Sequence, residues 1–266
     1  MKTVASFIRY FPDLNIYKNL IDVSPFQIII ELEINKKLLE YFNLIKSAFI
    51  QENNCTEEDY NKIYDLKMKK YILDKLYKKI YPRELEADDL LFFKKTIQLS
   101  WVNPKMFIKD DCVSSEAFEN LLPGILKSFK LLNFSKNPFD KFTHIKTIFQ
   151  LIGNIVKYNY EGEGEKKEIG AEDITPYLNY ILIRACPVKI FSDIKFIKLF
   201  LQDEGNMEYD LINVESMCKK ILESTYKDYY LSESEYIEKC NSVLDNTKDI
   251  EEERFEEIMG RYESIA

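Results

Sequence analysis

The chain has 266 residues, 46% of them apolar and 14% aromatic, with only 7 glycines and 8 prolines and a formal net charge of −8. That is ample for one large core, or a core plus a helical subdomain, and poor in the turn formers that a β-rich fold needs. No basic surplus exists to neutralise phosphates, so nucleic acid is excluded as the main partner, and the acidity itself is read as solubility. Five cysteines (Cys55, Cys112, Cys186, Cys218 and Cys240) are scattered, odd in number and far from any CxxC spacing. They exclude a disulfide framework or structural zinc and point to reduced, buried thiols. Apolar residues after Lys2 are interrupted by Arg9, Pro12 and Asp13, too early for a signal peptide. No run approaches the roughly 20 apolar residues of a membrane span. A cytosolic chain is expected.

Helix signals then follow one another along the chain. Ser24-Pro25-Phe26-Gln27 places a hydroxyl cap before a proline whose missing N–H costs nothing in a first turn, and Gln27 can close a capping box. Phe26, Ile29, Ile30, Leu38, Phe42, Ile45 and Phe49 form an apolar stripe at helical spacing. The run 27–34 is β-branched enough to read as a strand, but its flanks and length favour helix. Thr56 with Asp59 opens a second long helix, carried by Tyr60 through Leu76 and stopped by Pro82. A further helix runs from about Asp89 to Trp101, and another starts near Ser115. Asn137-Pro138 with Asp140 starts the next, with the stripe Phe142, Ile145, Phe149, Ile152 and Val156. Residues 161–167 carry no apolar face and read as a mobile surface loop. Helices follow at roughly 173–185, 193–201 and 209–224, then two more: one behind the capping box Ser232/Glu235, the other around Ile250–Tyr262. No repeat of solenoid length is present.

The parts of ordinary active sites are missing. His144 is the sole histidine, which leaves no triad, no HExxH and no two-histidine metal site. It is expected to be partly buried with its ring satisfied. There is no GxxxxGK[ST] or GxGxxG stretch to cradle phosphate, and most carboxylates lie in charge runs such as Glu251-Glu252-Glu253, which are solvated faces. No covalent chemistry, metal or cofactor is indicated.

Four stretches occur in an order similar to that of the Vps-nine (vacuolar protein sorting) domain family. Lys70-Tyr71-Ile72-Leu73-Asp74-Lys75-Leu76-Tyr77 resembles the helix leading into that domain. Trp101-Val102-Asn103-Pro104-Lys105-Met106-Phe107 resembles its tryptophan–valine–x–proline turn. Ala171-Glu172-Asp173-Ile174-Thr175-Pro176, followed by Leu178, Tyr180, Ile181 and Ile183, resembles the start of its fourth helix. Asp193 through Phe200, then Glu208-Tyr209, resembles its fifth helix and the start of its sixth. Each motif is weak alone; their order and spacing make the set specific, over about residues 70–224.

The resemblance implies an all-α fold, a layered helical domain over 70–224 with an N-terminal helical bundle over 1–69 packed against it and a C-terminal helical segment over 225–266. It implies guanine-nucleotide exchange on an early-endosomal Rab GTPase, with an acidic finger entering the GTPase nucleotide site, where it competes with phosphate and magnesium for a lysine and repels the bound anion. Counting back four from Pro176 puts Glu172 at the finger position, with Asp173 one residue on. Either of them serves, or exchange is lost. Tyr209 hydrogen-bonds the GTPase in this picture, and Ile174, Pro176, Tyr180, Ile212 and Asn213 line its binding surface. Ile212 stands where relatives tend to carry threonine and cannot donate a hydrogen bond, whereas Asn213 can. Three alternatives stay open: a Rab-binding scaffold without exchange, a plain helical adaptor, and Asp173 as merely the N-cap of its helix. The stripe Phe255, Ile258, Met259 and Tyr262 either docks on the body or binds an adaptor. No lipidation motif or basic amphipathic helix is evident, so the expectation is peripheral recruitment to endosomes through a partner.

Overall fold

The computed structural model describes residues 27–81, 87–162, 169–200 and 207–243, and among these it is all helical. Ser24–Phe26, Pro82, most of the 161–167 stretch and the Phe255–Tyr262 stripe lie outside the described residues. By backbone contacts the chain divides into two compact units, 1–83 with 136–139, and 84–135 with 140–266.

Three helices of the first unit lie among the described residues. α1 (Gln27–Asn53) contains the β-branched run, which is helical, and it buries Leu38, Phe42, Ile45 and Phe49 at the expected spacing. Thr56 with Asp59 opens a helix as expected, through a capping box: Thr56 Oγ1 accepts the Asp59 N–H at 3.1 Å. The helix it opens is not continuous. α2 (Glu57–Ile63) stops at Tyr64 (φ −113°, ψ −31°) and α3 (Asp65–Ile80) resumes at once. The Tyr60 and Tyr64 rings pack on Phe49, with centroids 5.4 and 4.8 Å away, so the junction lies against α1 through an aromatic cluster. Asn137 Nδ2 donates to Asp74 Oδ1 at 3.0 Å, tying the 136–139 segment to α3.

In the second unit α4 (Ala87–Gln98) ends earlier than expected, because the chain turns before Trp101. Asn103 Oδ1 accepts the Lys105 N–H at 3.0 Å and starts a 3₁₀ turn at Pro104–Met106. After the single turn α5 (Asp110–Val113), Ser115 caps α6 (Glu116–Phe134) through the Phe118 N–H. α7 (Pro138–Gly162) buries every residue of its predicted stripe and takes in Glu161 and Gly162, which the sequence assigned to a loop. His144 on α7 is half-buried. Its Nε2 lies 3.0 Å from Ser135 Oγ, and burial holds its pKa below the ordinary value.

α8 (Ala171–Ala185), α9 (Ile190–Phe200) and α10 (Met207–Glu223) complete the core. α8 packs against α4, α6 and α10 and accordingly buries Tyr177, Leu178 and Tyr180–Ile183 on nearly all sides. A helix over 233–243, opened by the expected Ser232/Glu235 box, joins the unit through an aromatic cluster. Tyr236 lies 6.0 Å from Trp101 and 5.8 Å from Tyr229, while Lys95 Nζ donates to the Tyr236 hydroxyl (3.0 Å) and the Ser224 carbonyl (2.8 Å).

Charge is buried at the base of α9. The Asp89 carboxylate accepts the N–H groups of Phe191 (2.7 Å) and Ser192 (3.1 Å), capping the helix from α4. Burial outweighs these bonds and pushes Asp89 up to about 6. Lys141 and Asp193 form a 2.7 Å ion pair with both side chains 0% exposed, and Lys141 Nζ also donates to the Leu132 carbonyl at 2.8 Å. Burial lowers Lys189 to about 8. All five cysteines are free thiols.

Candidate functional site

The predicted site residues gather around the first two turns of α8. Gly170, extended at φ −97° and ψ 175°, is the N-cap. It has no side chain to offer the first-turn amides, so only the reciprocal half of a capping box forms: its N–H donates to Asp173 Oδ2 at 2.8 Å. Asp173 is therefore the third helical residue and not the N-cap. Its other oxygen, Oδ1, accepts from the Tyr160 hydroxyl at the end of α7.

Glu172 differs from its neighbour. It is exposed, and its carboxylate makes no hydrogen bond or ion pair among the described residues. As the second helical residue it lies in the favourable field of the helix N-terminus. Pro176, four residues on, has no N–H, so the Glu172 carbonyl lacks its intrahelical donor. The spacing of acid and proline thus places the acid on a turn held by fewer backbone bonds than a regular helix provides.

Two depressions flank this turn. One, about 170 Å³, lies between α7, α8 and α10 and is lined by Phe149, Ile174, Leu178, Tyr209, Asn213 and Lys220 among others. The other, about 230 Å³, lies on the opposite side of α8; its walls include Phe107, Ile108, Val156, Glu172, Asp173 and Pro176. The fold so brings Ile174, Tyr209 and Asn213 together in one groove and Glu172, Asp173 and Pro176 together in the other. Tyr209 is 52% exposed at the start of α10. The Asn213 amide donates to the Tyr209 carbonyl at 2.8 Å, which engages part of its donor capacity within the helix. Ile212, 49% exposed, stands outside the residues that line either groove. Tyr180 faces inward, 8% exposed, with its ring 6.3 Å from that of Phe118.

The sequence reading missed the residues that hold this turn. Asn159 Nδ2 donates to the Tyr177 hydroxyl at 3.0 Å, one residue before Tyr160. Burial pushes the Tyr177 hydroxyl and the Cys112 thiol beside it upward. No spacing signal marks Asn159 or Tyr160, because their partners lie on another helix; a glycine followed three residues later by an acid was the one legible part of the arrangement. Among the described residues no group of three or more His, Cys, Asp or Glu side chains forms a metal site, and no helix is long and apolar enough to cross a membrane.

Comparison with known proteins bears out the family resemblance. Residues 123–239 match the family model of the vacuolar sorting protein 9 (VPS9) domain. The chain is 24% identical over 215 residues to vacuolar protein sorting-associated protein 9A of Arabidopsis thaliana, a match spanning 77% of this chain and 40% of that protein. It is 26% identical over 137 residues to the protein of the same name in Oryza sativa subsp. japonica, covering 50% of this chain and 28% of the relative. It is also 26% identical over 164 residues to the Rab5 GDP/GTP exchange factor of Homo sapiens, covering 60% of this chain and 32% of that protein. The chain thus spans less than half the length of each of these relatives.

Proposed function

We propose that this protein is a guanine-nucleotide exchange factor for a Rab GTPase of the early-endosomal group, and that Glu172 is its acidic finger. The observation that carries the reading is the state of Glu172: exposed, without a partner of its own, on a proline-loosened first turn between two grooves. Asp173, by contrast, has both oxygens engaged in holding the helix. The family match and the similarity to the human Rab5 GDP/GTP exchange factor support exchange activity.

The mechanism is electrostatic displacement. In a nucleotide site closed from water, a carboxylate interacts several-fold more strongly than in bulk. Inserted beside the phosphates, Glu172 competes for the lysine that holds them and repels the anion, while Ile174, Pro176, Ile212 and Asn213 provide the docking surface. Tyr180 packs inward from α8 against Phe118, and Tyr209 offers its hydroxyl across the groove. Nothing covalent changes. The protein acts at the endosomal surface, recruited through a partner.

Fluorescent-GDP release from a panel of purified Rabs tests this. Acceleration of at least one early-endosomal Rab, lost in Glu172→Ala, is expected; no acceleration of any Rab overturns it. A second reading, Rab binding without exchange, draws on Ile212, which has no donor, and on Asn213, whose amide is engaged within α10. Binding without exchange, unchanged in Glu172→Ala, identifies that case.

A further inference from the structure

The last turn of α7 grips the first two turns of α8 at two consecutive residues. Asn159 donates to the Tyr177 hydroxyl at 3.0 Å, and the Tyr160 hydroxyl donates to Asp173 Oδ1. Asp173 passes that grip to the helix start, because its other oxygen accepts the Gly170 N–H at 2.8 Å. Helix N-termini lack intrahelical partners for their first four N–H groups, and here Pro176 also removes the donor to the Glu172 carbonyl. The turn bearing Glu172 is thus held by tertiary bonds, and among the described residues the Glu172 carboxylate contributes none of them.

We propose that Tyr160 is a positioning residue for Glu172, acting through Asp173. This rests on the exchange function proposed above, with Glu172 as the acting acid. The Tyr160 hydroxyl anchors the Asp173 carboxylate. Asp173 closes the N-cap, and the closed cap fixes the direction in which the neighbouring acid leaves the helix. Tyr160 and Asp173 need not touch the GTPase. Their effect is on the geometry of an acid that must reach a small site, where a displacement of about 1 Å can cost as much as 10²-fold in rate.

The test uses the full chain with Tyr160→Phe, which removes only the hydroxyl, and Asp173→Asn, which keeps the shape but weakens the acceptor. Hydrogen exchange at residues 170–175 is measured on the chain alone, and nucleotide release is measured against Rab concentration to separate kcat from KM. Tyr160→Phe is expected to speed amide exchange at 170–175 and to lower kcat, each by about 10-fold, with KM within about 2-fold of wild type. It should add little in the Asp173→Asn background, since both changes act on the Tyr160–Asp173 hydrogen bond. An unchanged kcat, a loss confined to KM, or full additivity of the two variants overturns the proposal. If wild type accelerates no Rab, the parent function fails separately; unaltered protection at 170–175 in Tyr160→Phe then overturns the positional claim as well.

Discussion

Acidic residues in the second unit meet two different fates. At the base of α9, Asp89 and Asp193 are fully buried, one spent on the amides of Phe191 and Ser192, the other on Lys141 at 2.7 Å. At the start of α8, Asp173 is half-buried and divided between Gly170 and Tyr160, while Glu172 stands in solvent with no such bond. Charge taken from water must be matched by partners or it destabilises the fold. An acid left in water costs nothing to keep and stays available for an incoming ligand. The contrast separates acids committed to the fold from an acid left open to solvent.

The largest effect should come from breaking the buried pair. Lys141→Met removes one member of a fully buried ion pair and should cost about 3–5 kcal/mol in urea unfolding. Replacing both residues by apolar side chains should recover most of that loss, and an unaltered stability in the single variant would remove the pair from the structural side of the comparison. On the other side, Glu172→Gln should leave the unfolding midpoint within about 0.5 kcal/mol of wild type. It should slow Rab nucleotide release by about 10²-fold, the size of losing one preorganised electrostatic contact. A parallel loss of stability and exchange would show that the two acid classes are not distinct.

Lys189 sharpens the structural side through pH. Its folded pKa, about 8, lies below the ordinary value of 10.5 because of burial. Between those values the unfolded chain binds more protons than the folded one, so stability rises with pH across about 8 to 10.5, by at most about 1.4 kcal/mol per pH unit from this group. Lys189→Met should lack that component when the two stability–pH curves are subtracted, and identical slopes would show that Lys189 is not desolvated. The smallest expected change is Tyr209→Phe. Loss of one hydroxyl donor should raise KM for the Rab about 5-fold without altering stability, since its hydroxyl makes no hydrogen bond among the described residues.

Much of the helical organisation was legible because it depends on local physics. The stripe on α7, the helix start at Thr56/Asp59 and the box at Ser232/Glu235 are statements about three- and four-residue spacing, and all are present. The break at Tyr64 was not legible, and the aromatic cluster at that junction includes Phe49 from another helix. Nor was the extent of α7: Glu161 and Gly162 look like loop residues, yet they continue a helix whose preceding turns are anchored through Asn159 and Tyr160. Around the candidate site, the acid–acid–x–x–proline spacing was visible, and so was the question of which acid acts. The different bonding of Glu172 and Asp173 was not, since it turns on a hydroxyl donated from a different helix.

By itself, then, the sequence determined an all-helical chain, most of its helix starts, the family it resembles and the short list of acids and aromatics at issue. Each of these follows from side-chain periodicity, capping chemistry or ordered motifs along the chain. The tertiary structure alone decided which of those residues are committed to the fold and which are exposed. Tyr180 faces inward from α8, Tyr209 opens onto a groove, Asp173 is tied to Tyr160, and Glu172 carries no such tie. Burial and long-range hydrogen bonding are properties of what packs alongside a residue, and spacing along the chain does not encode them.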